Sequence, residues 1–141
     1  KCCTVWIPLQ KTPVEMGPLA FSEGSHTFTY GRNFKISDES EQKIQKALSD
    51  AKFPYVQEPF DLGEVSFHYG WTFHRAGSNQ TEKAREVMTI IYMDVDMRLK
   101  KPENENQVND REKFCHKVEV GEIIDSPENP VLYEEENLIE N

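Results

Sequence analysis

The sequence predicts a mainly β domain with one inserted helix. Short runs of alternating apolar and polar residues recur along the chain, as in the segment 65–69. Such alternation is typical of strands that are buried on one face. Turns rich in glycine, proline and asparagine separate these runs. Only the segment 37–52 has apolar residues at helical spacing, with charges on the opposite face.

The N-terminal quarter of the chain predicts two strands. The first spans residues 3–9 and places Trp6 on the face opposite Val5. A loop over 11–17 follows, because proline and glycine there interrupt the pattern. A second, shorter strand is expected over 18–21.

The predicted helix has clear start and stop signals. A tight turn precedes it, in which Gly24 is expected to adopt a backbone angle that other residues avoid. The helix over 37–52 begins at a capping side chain, either Ser37 or Asp38. Pro54 prevents its continuation. The sequence therefore predicts a helix inserted between strands and packed on one side of a sheet.

The remainder of the chain predicts further strands and a polar loop. We expect an extended edge segment over 55–60, a strand over 65–69 and a long strand over 85–97. The segment 102–110 is predicted to be a polar loop and 112–117 a short helix. Short connections favour antiparallel pairing, which suits a jelly-roll, the cupin-like double-stranded β-helix. An unrelated α+β sandwich fits the pattern nearly as well.

The length and the net charge of the chain limit which partners it can bind. A chain of 141 residues can form one domain with a buried core. We expect this domain over 1–125 and an acidic C-terminal tail over 126–141. The net charge of −9 argues against binding nucleic acid or an anionic membrane surface. No apolar run is long enough to span a bilayer.

The cysteines and the first residues add two expectations. Cys2, Cys3 and Cys115 form no disulfide framework or CxxC motif, which predicts free thiols in a reducing, cytoplasmic compartment. The chain starts within a predicted strand and without an initiator methionine. We therefore expect the C-terminal part of a longer protein and an incomplete barrel, in which a sheet edge exposed at Cys2 allows homo-oligomers.

One stretch carries residues suited to a ligand site. His74 follows the strand over 65–69, and Arg85 lies eleven positions later, at the start of the next apolar run. Imidazole is a common metal ligand, and guanidinium is a bidentate partner for carboxylates. The pair predicts a site for a metal ion and an acidic small molecule. His68 alternates out of register with its apolar neighbours, and we treat it as a core or pocket-lining residue.

Each of these residues also has an ordinary structural interpretation. His74 could be a half-buried histidine at a strand end, bonded to its own turn. Arg85 could form a surface ion pair with Glu82 or Glu86. Trp6 is as compatible with the core as with a pocket.

Three blocks of the sequence together resemble the phytanoyl-CoA dioxygenase-like family of Fe(II)- and 2-oxoglutarate-dependent oxygenases. The first block is VWIPLQKTPVEMGPLAFSEGSH, with its tryptophan strand and glycine-containing turn. The second is DLGEVSFHYGWTFHRAGSNQTEKAR, with its histidine, polar turn and arginine. The third and weaker one is ENPVLY. No block alone is specific for the family, but the three blocks in this order are.

The resemblance implies a role for each matched residue. His74 resembles the distal iron ligand, and Arg85 resembles the arginine that binds the distal carboxylate of 2-oxoglutarate. Trp6 resembles an aromatic residue lining the cosubstrate pocket. Asn79 matches the family's turn, where its role is structural. The implied activity is hydroxylation of an unidentified small organic substrate.

The sequence also departs from the family pattern. The family's iron is held by a His-x-Asp pair together with the distal histidine, but none of the four histidines here is followed two positions later by an acidic residue. Whether this chain alone is an enzyme is therefore left open. The alternative is an inactive β-helix module that holds an acidic small ligand through Arg85.

Overall fold

The computed structural model describes residues 1–133 and is mainly β. It contains two three-stranded antiparallel sheets and two α-helices. In chain order the elements are β1 (Cys2–Pro8), β2 (Leu19–Ser22), α1 (Asp38–Asp50), β3 (Tyr55–Gln57), β4 (Ser66–Tyr69), β5 (His74–Ala76), β6 (Val87–Met93) and α2 (Glu105–Phe114). Two short 3₁₀ turns lie at Val14–Met16 and Ser25–Thr27.

The first sheet has the strand order β4-β1-β6. Its register pairs Thr4 with His68 and Trp6 with Ser66, so these four side chains share one face. Because β1 is the central strand, the edges of this sheet are β4 and β6. Strand β1, which contains Cys2, is therefore not itself an edge among the described residues, and homo-oligomerisation through an exposed sheet edge stays a prediction.

The second sheet has the order β3-β2-β5. Its register pairs Phe21 with both Val56 and His74, which places the three side chains on one face. The centroid of the His68 ring lies 5.1 Å from that of Phe21 and 4.4 Å from that of His74. The two sheets therefore contact each other through Phe21, His74 and His68.

The alternation predicted for β4 is present, but its polar side faces inward. His68 is only 7% exposed, whereas Phe67 and Tyr69 are 67% and 62% exposed. The register with β1 puts His68 on the same face of the sheet as the buried Trp6. The interpretation of His68 as a core or pocket-lining residue is confirmed.

Helix α1 begins at the predicted cap. The Ser37 hydroxyl accepts a hydrogen bond from the Ser40 backbone N–H, and the Ser40 hydroxyl accepts one from the Ser37 N–H. The helix buries Leu48 and pairs Glu41 with Arg75 of β5, with 3.1 Å between Nη1 and Oε1. It therefore lies against the sheet that contains His74.

The prediction of a polar loop over 102–110 is wrong, because α2 occupies most of that segment. The Asn104 side chain caps this helix by accepting from the Gln107 backbone N–H at 3.0 Å. Asparagine favours turns and helix N-caps alike, and the residues after it include good helix formers. The short helix predicted over 112–117 is the end of α2, which stops at Phe114.

The strand predicted over 85–97 is shorter than expected. Strand β6 ends at Met93, and the Met97 N–H then donates to the Asp94 carbonyl at 3.0 Å. This closes a turn over residues 94–97. Aspartate is unfavourable in strands and common in turns, so the alternation MDVDM was misleading.

The chain divides into two compact units, Lys1–Tyr92 and a second unit that begins at Met93. The second unit contains α2 and an antiparallel bridge between Arg98 and Ile123. The predicted boundary after residue 125 stays a prediction, and half of the predicted acidic tail lies outside the described residues. Within residues 1–133, none of the helices has the length and apolar character needed to cross a membrane.

Candidate functional site

His74 is the first residue of β5, and one of its ring nitrogens makes a hydrogen bond within the protein. Nδ1 lies 2.8 Å from the Thr72 carbonyl, which can only accept, so Nδ1 carries the proton. Nε2 has no hydrogen-bond partner among residues 1–133, and in the neutral form of the ring it carries the lone pair. The bond fits the structural interpretation, and it also fits a metal ligand, because metal-binding imidazoles usually donate their other N–H to a carbonyl.

His68 is buried beside His74 without any hydrogen-bond partner. Neither Nδ1 nor Nε2 of His68 has one among the described residues. Burial, and secondarily the nearby His74, lower the pKa of His68 to about 4. The ring is therefore neutral at physiological pH, which is the form that binds metal ions.

Arg85 is anchored by backbone carbonyls. Its Nη1 donates to the carbonyl oxygens of Met16, Gly17 and Gly77, at 3.0 Å for Met16 and 3.2 Å for Gly77. Arg85 makes no ion pair with any residue of 1–133, so the interpretation of a surface pair with Glu82 or Glu86 is wrong. Nε and Nη2 form no hydrogen bond to the described residues, which leaves that edge of the guanidinium open for a carboxylate.

Gly17 makes this anchoring possible. Its φ is +68°, in the left-handed region that favours glycine. A Cβ at this position would lie 2.4 Å from the Gly77 carbonyl oxygen and 2.9 Å from Nη1 of Arg85. The absence of a side chain therefore lets the backbones at Gly17 and Gly77 approach the guanidinium together.

The loop between β5 and Arg85 is held by side-chain hydrogen bonds. Asn79 accepts from the Thr81 N–H at 2.9 Å and donates to the Lys83 carbonyl at 2.7 Å. Gln10 donates to the Ala84 carbonyl at 2.7 Å, directly before Arg85. These bonds agree with the structural role expected for Asn79.

Trp6 is 5% exposed, and its ring packs against Phe60 with centroids 4.9 Å apart. This is a core contact. Trp6 shares a sheet face with His68, but a contact with a cosubstrate stays a prediction.

Two cavities adjoin the histidines. The larger, of about 1000 Å³, lies between α1 and the β3-β2-β5 sheet and is lined in part by His74, Arg75, Phe34 and Ile44. The smaller, of about 560 Å³, is lined by residues of both sheets, including His68. The contacting His68 and His74 rings thus line different cavities.

The described residues do not form a complete metal site. No three histidine, cysteine, aspartate or glutamate side chains within 1–133 are placed to share a metal ion. His74 fits one ligand position, through its free Nε2. The open edge of the Arg85 guanidinium is chemically suited to a carboxylate.

Several residues of this site were missed by sequence reasoning. Gly17 was assigned only to a loop, and the carbonyl groups of Met16 and Gly77 carry no side-chain signal. The Gly-Pro pair at 17–18 was the available clue, because a glycine in a loop often marks a close backbone approach. The role of Gln10 depends on a contact 74 positions away along the chain.

Comparison with known proteins gives matches in both sequence and structure. The phytanoyl-CoA dioxygenase (PhyH) family matches residues 1–87. A phytanoyl-CoA dioxygenase domain-containing protein 1 homolog from Caenorhabditis elegans is 30% identical over 99 residues, which are 64% of this chain and 34% of that protein. The chain therefore spans about a third of this relative's length.

Two solved structures share the fold. The non-heme alpha ketoglutarate dependent carbocyclase SnoK from nogalamycin biosynthesis aligns with a TM-score of 0.66 at 24% identity, over 89% of this chain and 47% of that one. The epimerase SnoN, in complex with Fe³⁺, alpha ketoglutarate and nogalamycin RO, aligns with a TM-score of 0.65 at 23% identity, over 90% and 48%. Since the family match covers more than half of the sequence, this chain belongs to the phytanoyl-CoA dioxygenase family.

Proposed function

We propose that this chain is part of an Fe(II)- and 2-oxoglutarate-dependent oxygenase that hydroxylates a small organic substrate. The observation that carries the proposal is the position of Arg85, whose Nη1 is fixed by three carbonyls while the Nε and Nη2 edge stays open. Family membership and the fold shared with two alpha ketoglutarate-dependent enzymes support it.

Arg85 is proposed to bind the distal carboxylate of 2-oxoglutarate. A guanidinium presents two parallel N–H donors to a carboxylate, which gives orientation as well as affinity. Because Nη1 is held from behind by backbone atoms, little conformational freedom is lost when the ligand binds. The protein thereby orients the cosubstrate before the reaction begins.

His74 is proposed to be one iron ligand, through Nε2. The Nδ1–H bond to the Thr72 carbonyl fixes the tautomer and the ring direction. His74 is the first residue of β5, and Gly77, whose carbonyl accepts from Arg85, directly follows this strand. About 10 Å of extended backbone therefore separates the Cα atoms of His74 and Gly77. The iron, when bound, would supply the oxygen-activating chemistry.

The finer fold assignment is a double-stranded β-helix. Two three-stranded antiparallel sheets whose facing sides meet at His68, His74 and Phe21 support it. The larger cavity is proposed to take the substrate, because His74 is in its wall and apolar side chains such as Phe34 and Ile44 line it. Three free thiols support a reducing, cytoplasmic compartment.

The alternative is a metal-free module that holds an acidic small ligand through Arg85. The observation in its favour is the absence of any His-x-Asp or His-x-Glu in the 141 residues. Both proposals use Arg85 in the same way, and they differ in whether a metal ion is needed for binding.

Anaerobic calorimetry separates the two. 2-Oxoglutarate is titrated into the chain with and without Fe(II), and Arg85→Lys is compared with the control Arg98→Lys. Binding that needs Fe(II) and is weakened at least about tenfold by Arg85→Lys supports the oxygenase. Metal-independent binding with the same dependence on Arg85 supports the module. Absence of binding in both conditions contradicts both proposals.

A further inference from the structure

The larger cavity contains an arginine that the proposed function does not use. Arg75 follows His74 on β5 and lines the cavity between α1 and the β3-β2-β5 sheet. Its backbone is paired with the buried Ala20, yet its side chain is 39% exposed. A guanidinium in the wall of this cavity can contact the molecule that fills it.

Helix α1 holds this guanidinium through one of its nitrogens. Nη1 of Arg75 lies 3.1 Å from Oε1 of Glu41, and the same oxygen accepts a hydrogen bond from Gln45 at 2.9 Å. Among the described residues, Nε is the only nitrogen of Arg75 that is buried without a partner, so a ligand does not reach it. Nη2 makes no hydrogen bond within residues 1–133, and it is therefore the donor available to a ligand.

The wall of the cavity carries more positive than negative charge, although the net charge of the chain is −9. Its cations are Lys35, Lys52 and Arg75, and its carboxylates are those of Asp38 and Glu41. Within residues 1–133 neither lysine forms an ion pair, whereas the Glu41 carboxylate is already bound by Arg75. The local charge therefore favours an acidic ligand over a basic one.

Aromatic rings form much of the apolar wall, which includes Phe21, Phe34, Phe53, Tyr55 and Phe73. Phe53 and Phe73 pack edge-on against Phe28, with centroids 5.3 and 6.1 Å from its ring. Phe34 and Tyr55 remain 39% and 58% exposed. Aromatic rings prefer offset or edge-to-face contacts with other rings, so this wall suits a flat aromatic body. A cavity of about 1000 Å³ has room for several rings.

We propose that Arg75 determines substrate specificity, and that the substrate is an aromatic carboxylic acid whose carboxylate accepts from Nη2 of Arg75. This inference rests on the substrate role proposed for the cavity and adds the chemical class of the substrate. Glu41 is a positioning residue, because its contact with Nη1 keeps the guanidinium in the wall. A neutral ligand of the same shape leaves Arg75 without its charged partner and binds more weakly.

A pair of matched ligands tests the proposal. 2-Naphthoate and 2-naphthamide differ in replacing a carboxylate with a neutral amide of nearly the same shape. Each is titrated calorimetrically into the full chain, without iron or 2-oxoglutarate, as wild type and as Arg75→Gln. Lys46→Gln is the matched control, because Lys46 pairs with Asp50 on α1 and does not line the cavity. Circular dichroism confirms that each variant is folded.

The wild type should bind 2-naphthoate at least about tenfold more tightly than 2-naphthamide, since hydrogen bonds to charged groups are the stronger ones. In Arg75→Gln this preference should fall below about twofold, and in Lys46→Gln it should persist. A preference that persists in folded Arg75→Gln would overturn the inference. So would a wild type that binds both ligands equally or binds neither.

A second measurement does not depend on the Arg75 variant. In the wild-type chain, 2-naphthoate should shift the NMR signals of the Arg75 guanidinium and leave those of Arg98 unchanged. A shift at Arg85 in place of Arg75 would overturn the assignment, because the carboxylate would then occupy the proposed 2-oxoglutarate site.

The inference and the proposed oxygenase function fail separately. Arg75→Gln should change the affinity for 2-oxoglutarate in the presence of Fe(II) less than about twofold, because that ligand is assigned to Arg85. Loss of 2-oxoglutarate binding in the wild type, with the 2-naphthoate preference intact, would contradict the oxygenase and leave the acid site at Arg75. The opposite result would contradict the acid site alone.

Discussion

Replacing Gly17 with alanine should both destabilise the chain and displace Arg85. Gly17 has a φ of +68°, where an alanine costs about 1–2 kcal/mol. The added Cβ would also lie 2.4 Å from the Gly77 carbonyl oxygen and 2.9 Å from Nη1 of Arg85. Overpacking of this kind typically costs about 1–3 kcal/mol more. We therefore expect a loss of about 2–5 kcal/mol in the free energy of unfolding.

Gly24 provides the matched control for this change. Its φ of +74° is nearly the same, but a Cβ there would meet no atom within 4 Å. Gly24→Ala should therefore lose only the backbone contribution of about 1–2 kcal/mol. Urea denaturation followed by circular dichroism measures both variants. Equal losses in the two variants would refute the close approach of Gly17, Gly77 and Arg85.

Three further predictions concern pH, capping and association. In metal-free buffer, the free energy of unfolding should fall by up to about 3 kcal/mol as the pH falls from about 6.5 to 4, because the lowered pKa of His68 lets the unfolded state take up the proton first. Urea titrations should show that His68→Gln removes this dependence of stability on pH. An identical pH dependence in the variant would contradict the burial of His68. Ser37→Ala should cost about 1 kcal/mol in the free energy of unfolding through loss of the α1 cap, whereas the control Ser49→Ala, in the last turn of the same helix, should cost nothing. Equal effects in urea denaturation would argue against the cap. If the open edges β4 and β6 pair between copies of the chain, size-exclusion chromatography should show a dimer fraction that increases with protein concentration. A monomer at every concentration would exclude this association.

The sequence predicted the local features of the fold well. Strands β1, β2 and β4 and the start of α1 were recognisable, because alternation, a capping serine and nearby prolines act within a few residues. The first part of α2 was missed, since Asn104 can begin either a turn or a helix, and only the bond to the Gln107 N–H distinguishes them.

The candidate site was predictable only where side-chain type carries the information. His74 and Arg85 were singled out from their chemistry and order. The anchoring of Arg85 by carbonyls of Met16 and Gly17 joins segments 68 or 69 positions apart, which no local pattern reports. The inward orientation of His68 was likewise not predictable, because alternation defines two faces of a strand but not which one is buried.

The central claim is that Arg85 binds the distal carboxylate of 2-oxoglutarate, and a thermodynamic cycle tests it most directly. Dissociation constants are measured by calorimetry in the presence of Fe(II) for 2-oxoglutarate and for 2-oxopentanoate, which replaces that carboxylate with a methyl group. The wild-type chain should prefer 2-oxoglutarate by at least about tenfold, because a hydrogen bond to a charged group contributes about 1.5–3 kcal/mol. In Arg85→Met the preference should disappear. A preference that persists undiminished in Arg85→Met would contradict the assignment.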